Sequence, residues 1–171
     1  TAEHCGLEAE VDLVMGTFSK TFASIGGVVV GGATVVSYIK HHARPLIFSA
    51  AATPASVASV LAILDMLENE PELRTRLWAV TEKMRTGLRA MGYDTGPSQT
   101  PIIPVVVGDD EKCFMLWRLL REEGIFTTPV VSPAVPKGQA LVRTSYGAGH
   151  TDEELDAVLA AFEKCGRALG I

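Results

Sequence analysis

The stretch VDLVMGTFSKTFASIGGVVVGG, Val11–Gly32, sets a lysine between two apolar runs, with hydroxyl residues before it and a glycine pair after it. Val11–Met15 reads as a short buried strand, and the β-branched, glycine-bracketed Gly26–Gly32 as another. Lys20 then lies on a loop between strands at the edge of an α/β sheet, where loops carry function. A free lysine, with a pKa near ~10.4, keeps its proton at neutral pH and does not attack an aldehyde. Burial beside apolar groups and a second cation lowers that value and permits Schiff-base chemistry.

Thr17 and Ser19 add hydroxyls at the same turn, and hydroxyls with exposed backbone N–H groups suit a phosphate. The local chemistry therefore fits a cofactor that carries both an aldehyde and a phosphate, pyridoxal phosphate (PLP). The competing reading of these residues alone is a partly exposed loop lysine. A Walker phosphate loop fits worse, because Ser19 stands where that motif needs glycine.

The 171 residues suffice for one domain, or for one domain and part of another, and 47% hydrophobic with 20% charged residues is globular composition. A net charge of −5 gives no electrostatic support for binding nucleic acid or an anionic membrane. No apolar run is long enough to span a bilayer, and TAEHCGLEAE at the start is no signal peptide. Cys5, Cys113 and Cys165 lack disulfide or zinc spacing, and the histidines lack ligand spacing, so the reading is a cytosolic protein with reduced thiols and no metal.

Downstream, Ala33–Lys40 reads as a short helix and Arg44–Ser49 as a loop with an apolar centre. Thr53 and Pro54 start a helix to Glu68, and Glu70–Met91 reads as another, ended by Gly92. A division near Leu64–Glu70 follows, giving domains 1–66 and 67–171. After an Asp94–Thr100 loop, Ile102–Val107 reads as a strand that Pro104 places at an edge. Asp110–Glu123 is a helix closed by Gly124, and Ile125–Val131 and Gln139–Tyr146 are strands. Thr151–Glu154 is a capping box opening a last helix to about Leu169.

GTFSKTFASIGGVVVGG resembles the lysine loop of fold-type I PLP enzymes, in particular the α-oxoamine synthase family, which is class II aminotransferase-like. ARPLIFSAAATPASVASVLAILDML, TPIIPVVVGDD and VPKGQALVRTSYGAGHTDEELD resemble further blocks of that family, in order and across nearly the whole chain. The resemblance implies an α/β fold: the lysine-bearing end of a fold-type I large domain, followed by an α+β C-terminal domain. It further implies that Lys20 bonds the cofactor and takes the substrate's α-proton, and that Thr17 helps hold the phosphate. Ser49 would reach the phosphate of the partner's cofactor across a homodimer. Arg143 would pair with the substrate carboxylate, for which a bidentate guanidinium is suited. Its apolar neighbours Leu141 and Val142 predict a buried or cleft position. His150 reads as structural, with Thr151 as helix cap, and His41 and His42 as surface residues.

The chain departs from the pattern in two places. Some members have a second arginine where Leu141 stands, and others have one where Val131 stands, so carboxylate recognition would rest on Arg143 alone. The family's acidic partner for the pyridine nitrogen, and the residue stacked on its ring, lie upstream of the lysine, so the sequence reads as the C-terminal portion of a longer chain. The implied activity is condensation of an amino acid with an acyl-CoA, with decarboxylation, to an α-amino ketone. The alternatives are a PLP aminotransferase acting on a keto acid and a non-catalytic or inert partner subunit. The isolated portion would be inactive, with an exposed apolar sheet edge.

Overall fold

A computed structural model describes all residues, Thr1–Ile171. The chain divides into two compact units, Thr1–Glu70 and Pro71–Ile171.

In the first unit, a short helix α1 (Ala2–Cys5) and a 3-10 turn precede strands β1 (Leu13–Thr17) and β2 (Gly27–Gly31). The strands pair antiparallel, from Leu13 opposite Gly31 to Thr17 opposite Gly27. Helices α2 (Ala33–His42), α3 (Arg44–Ile47) and α4 (Pro54–Asn69) follow. Thr53 caps α4 by accepting the Ser56 N–H at 3.3 Å, and Pro54 takes the first turn, where its missing N–H costs nothing.

Two expectations need correction here. Arg44–Ser49 is not wholly loop, because Pro45 supplies a helical φ and the Phe48 N–H bonds Arg44 O at 3.0 Å, closing a helical turn. The strands beside Lys20 are not buried: a two-stranded ribbon has two faces to cover, and Val14 is 51%, Met15 76% and Val30 57% exposed. Val60 is the one buried hydrophobic residue of this unit.

The second unit opens with α5 (Pro71–Ala90), then β3 (Ile102–Gly108), α6 (Asp110–Glu122), β4 (Thr128–Val130), β5 (Ala140–Ser145) and α7 (Asp152–Leu169). The sheet order is β3-β5-β4, antiparallel throughout. Pro104 sits on edge strand β3, where its lack of a donor is tolerated. Met84 and Leu88 of α5, Leu116 and Leu120 of α6, and Leu155 and Phe162 of α7 pack with Ile103, Val105 and Val142 of the sheet into one core. The reading of Ile125–Val131 as strand is too long. The Ile125 N–H returns to Leu120 O at 2.8 Å, and the Thr127 carbonyl accepts from Trp117 Nε1 at 3.2 Å, so pairing with β5 begins only at Thr128.

Helix α7 carries both halves of the capping box: Thr151 Oγ1 accepts the Glu154 N–H at 3.2 Å, and Glu154 Oε2 accepts the Thr151 N–H at 2.9 Å. Arg76 of α5 donates to the His150 carbonyl and to Asp152 Oδ1, each at 3.1 Å, tying α5 to this cap. The Arg76 guanidinium, with Lys83 beyond it, holds the Asp152 carboxyl below its ordinary range. Near the other end of α7, Tyr93 Oη donates to Phe162 O at 2.8 Å, and Gly166 leaves the room that the phenol occupies.

Thr151→Ala should lower stability by ~1 kcal/mol and the melting midpoint by roughly 2–4 °C, while Thr151→Ser stays near the parent, as read by thermal denaturation. Burial, with a smaller contribution from Cys165, pushes the Tyr93 phenol up to about 12. A folded-state value above the ordinary ~10 means that this stabilisation is complete below pH ~10. It is lost as pH rises from there toward about 12. Denaturation midpoints across that window should fall less steeply in Tyr93→Phe.

Candidate functional site

The Lys20 loop is closed by its own backbone. The Phe18 N–H bonds Gly26 O at 2.9 Å, the Ser24 N–H bonds Phe18 O at 2.9 Å, and the Ala23 N–H bonds Lys20 O at 2.9 Å. Phe18 and Phe22 meet edge to face, with centroids 5.4 Å apart. The glycine pair has two separate reasons. Gly26 has φ 108°, which side chains rarely adopt, and a Cβ on Gly27 would stand 2.7 Å from Gly16 O across the ribbon. Ala23, at φ 45°, is the one non-glycine residue in the left-handed region, a strain of the kind that concentrates at functional loops.

Thr17 ends β1, and its Oγ1 lies 2.9 Å from Ser19 Oγ and accepts the Ser19 N–H at 3.3 Å. The two hydroxyls and this amide therefore stand together one residue before Lys20. The Lys20 side chain is exposed and makes no hydrogen bond or ion pair. Ser49 follows α3, is exposed, and has no side-chain hydrogen bond.

Arg143 is not buried, contrary to the expectation from its neighbours. Strand alternation sends Ala140, Val142 and Thr144 into the core, at 0%, 0% and 3% exposure, and Arg143 to the opposite face. It stands in register with Pro104 on one side and Thr128 on the other, and its guanidinium has no acidic partner. The His150 ring is local in its bonding: Nδ1 accepts the Gly147 N–H at 3.0 Å. His41 and His42 are exposed. No group of His, Cys, Asp and Glu side chains is placed to hold a metal ion, and no helix is long and apolar enough to cross a membrane.

Thr17 and Ser19 with Lys20 are thus brought into one loop, while Arg143 belongs to the second unit and Ser49 to a separate segment of the first. Sequence reasoning missed the strain at Ala23, for which an ordinary alanine gives no signal.

The fold and the lysine loop define a class that comparison with known proteins identifies. A structure of SPT with a PLP internal aldimine superposes with a TM-score of 0.93 at 35% identity, over 99% of this chain and 43% of that one. The architecture is therefore that of the PLP-dependent transferases, in part. The Aminotransferase class I and II family matches residues 1–162, and the chain belongs to it. A serine palmitoyltransferase of Bacteriovorax stolpii is 45% identical over 100% of this chain and 41% of its own length. An 8-amino-7-oxononanoate synthase of Thermoanaerobacter pseudethanolicus is 40% identical over 100% and 43%. The chain thus spans about two fifths of the length of the curated relatives it matches.

Gly27→Ala should open the loop at its base. Overpacking against Gly16 O costs ~1–3 kcal/mol, so amide hydrogen exchange at Phe18 should quicken by about fivefold or more.

Proposed function

We propose that this chain is the lysine-bearing and C-terminal part of a PLP-dependent acyltransferase of the α-oxoamine synthase type. The net reaction joins an amino acid to the acyl group of an acyl-CoA, releasing free CoA and carbon dioxide and leaving an α-amino ketone. The observation that carries this reading is the Thr17–Lys20 loop. It holds an amine with no hydrogen-bond or ion-pair partner beside two hydroxyls and an amide, on a chain similar to a serine palmitoyltransferase and an 8-amino-7-oxononanoate synthase.

The residues present fit the cofactor by donor chemistry. An aldehyde needs a primary amine free of acidic partners, and Lys20 offers one. A phosphate needs hydroxyl and N–H donors, and Thr17, Ser19 and Ser49 supply them. When bound, PLP supplies an electron sink for charge developing at the substrate's α-carbon. Lys20 Nζ would bond the cofactor's aldehyde carbon and, once displaced by the substrate amine, carry the α-proton. Thr17 would hold the phosphate within its own chain, and Ser49 the phosphate of the partner chain in a homodimer. Arg143 would take the substrate carboxylate, its unpaired guanidinium offering two parallel N–H donors.

In domain terms, residues 1–66 would be the end of the PLP-binding large domain and 67–171 the small C-terminal domain. A cytoplasmic setting accords with three free thiols, two of them buried.

Borohydride reduction of the chain mixed with PLP, followed by peptide mass spectrometry, tests the cofactor assignment. A pyridoxyl group concentrated on Lys20 and lost in Lys20→Ala is the expected outcome. Labelling spread over other lysines and unchanged in that variant would overturn it. In the full-length parent protein, turnover of amino acid with acyl-CoA, against amino acid with keto acid, separates the acyltransferase from an aminotransferase.

A further inference from the structure

Lys20 opens a four-residue turn, Lys20–Ala23, closed by the Ala23 N–H on Lys20 O at 2.9 Å. Phe22 stands at the third position of that turn, and Phe18 two residues before the lysine. The two rings thus flank Lys20 in the chain, and they meet edge to face with centroids 5.4 Å apart and planes at 74°. Both are half-buried, while Thr17, Ser19, Lys20, Thr21 and Ala23 are exposed. A Cβ on Gly26 would stand 3.5 Å from Phe18 Cδ2, so the Phe18 ring lies close beside the backbone at the foot of the loop.

The lysine turn needs support beyond its own hydrogen bond. Ala23 holds φ 45°, a conformation that glycine adopts freely and alanine adopts at a cost. The turn bond joins two exposed residues, where water competes for both groups. Its net worth is then of the same order as the cost at Ala23, and the two nearly cancel. Strain of this kind persists only where the surroundings over-determine it. The other two bonds of the loop, Phe18 N–H to Gly26 O and Ser24 N–H to Phe18 O, each 2.9 Å, both fall on Phe18 rather than on the lysine turn. Phe18 is therefore the fixed point, and the Phe22 ring against the Phe18 ring ties the strained turn to it.

We propose that Phe22 is a positioning residue for Lys20. Its ring, seated on Phe18, keeps the Lys20–Ala23 turn closed and so fixes where the lysine side chain leaves the backbone. The inference rests on the reading of Lys20 as the amine that bonds PLP. An amine held in one setting reacts with an aldehyde more often than one on a turn that opens and closes.

The test uses the full chain with Phe22→Ala, Phe22→Tyr, Phe18→Ala and the double alanine variant. NMR signals of Pro71–Ile171 serve as the folded control. Two quantities are read: protection of the Ala23 N–H from hydrogen exchange, and the rate of pyridoxyl labelling of Lys20 under borohydride, with exposed Lys40 of α2 as internal reference. Phe22→Ala should lower both about fivefold, as expected for loss of an aromatic pair. Phe22→Tyr keeps the ring and should match the parent in both. The double alanine variant should lose little more than Phe22→Ala alone, because the two rings act through each other.

Lys20 labelling unchanged in Phe22→Ala, a loss in Phe22→Tyr equal to that in Phe22→Ala, or losses that add in the double variant would each overturn the proposal. A parent chain that labels Lys20 no faster than Lys40 would instead sink the cofactor reading, and exchange at Ala23 would still decide whether the ring pair holds the turn.

Discussion

Strand β5 must satisfy its backbone on both edges, and that requirement organises Pro71–Ile171. Its partners are β3 and β4, both antiparallel, which leaves no free edge at the centre of the sheet. Once β5 is held flat between neighbours, its side chains alternate by necessity. Ala140, Val142 and Thr144 then face the layer of α5, α6 and α7, and Thr144 anchors β3 through Ile103 O. The same alternation turns Arg143 outward. Core and candidate carboxylate contact are thus two faces of a single six-residue strand.

Thr1–Glu70 is built on a different balance. Its ribbon is secured by backbone pairing and by glycines that permit close approach, with almost no buried apolar side chain. Exposed apolar residues continue through Ile25, at 86%, and Phe48, at 79%. Surfaces of this kind mark where other protein atoms pack. The Lys20 loop, by contrast, is well determined locally, because three backbone hydrogen bonds and an aromatic pair close it without help from a core.

Much of this was legible in the residues. The Thr53–Pro54 start, the Thr151–Glu154 capping box and the Gly124 stop each rest on chemistry within a few residues, and the structure places helices there. The lysine loop was legible for the same reason, since hydroxyls, lysine and glycines are contiguous. What misled was the step from composition to burial. Val28–Val30 look like interior residues, yet nothing among these residues covers both faces of their ribbon. Ile125 and Phe126 look like strand, yet the exit from α6 draws the Ile125 amide back to Leu120.

The sequence by itself determined where the longer helices begin and end, where the ribbon turns, and which amine stands in the loop. Those features depend on caps, proline, glycine and residue order, all local. Only the tertiary structure decided that Arg143 faces outward and that Ala23 carries strain. Each of these depends on how segments meet: β5 with its neighbours β3 and β4, and the loop with its own base. Such meetings are set by register and packing across the chain, which no short run of residues encodes.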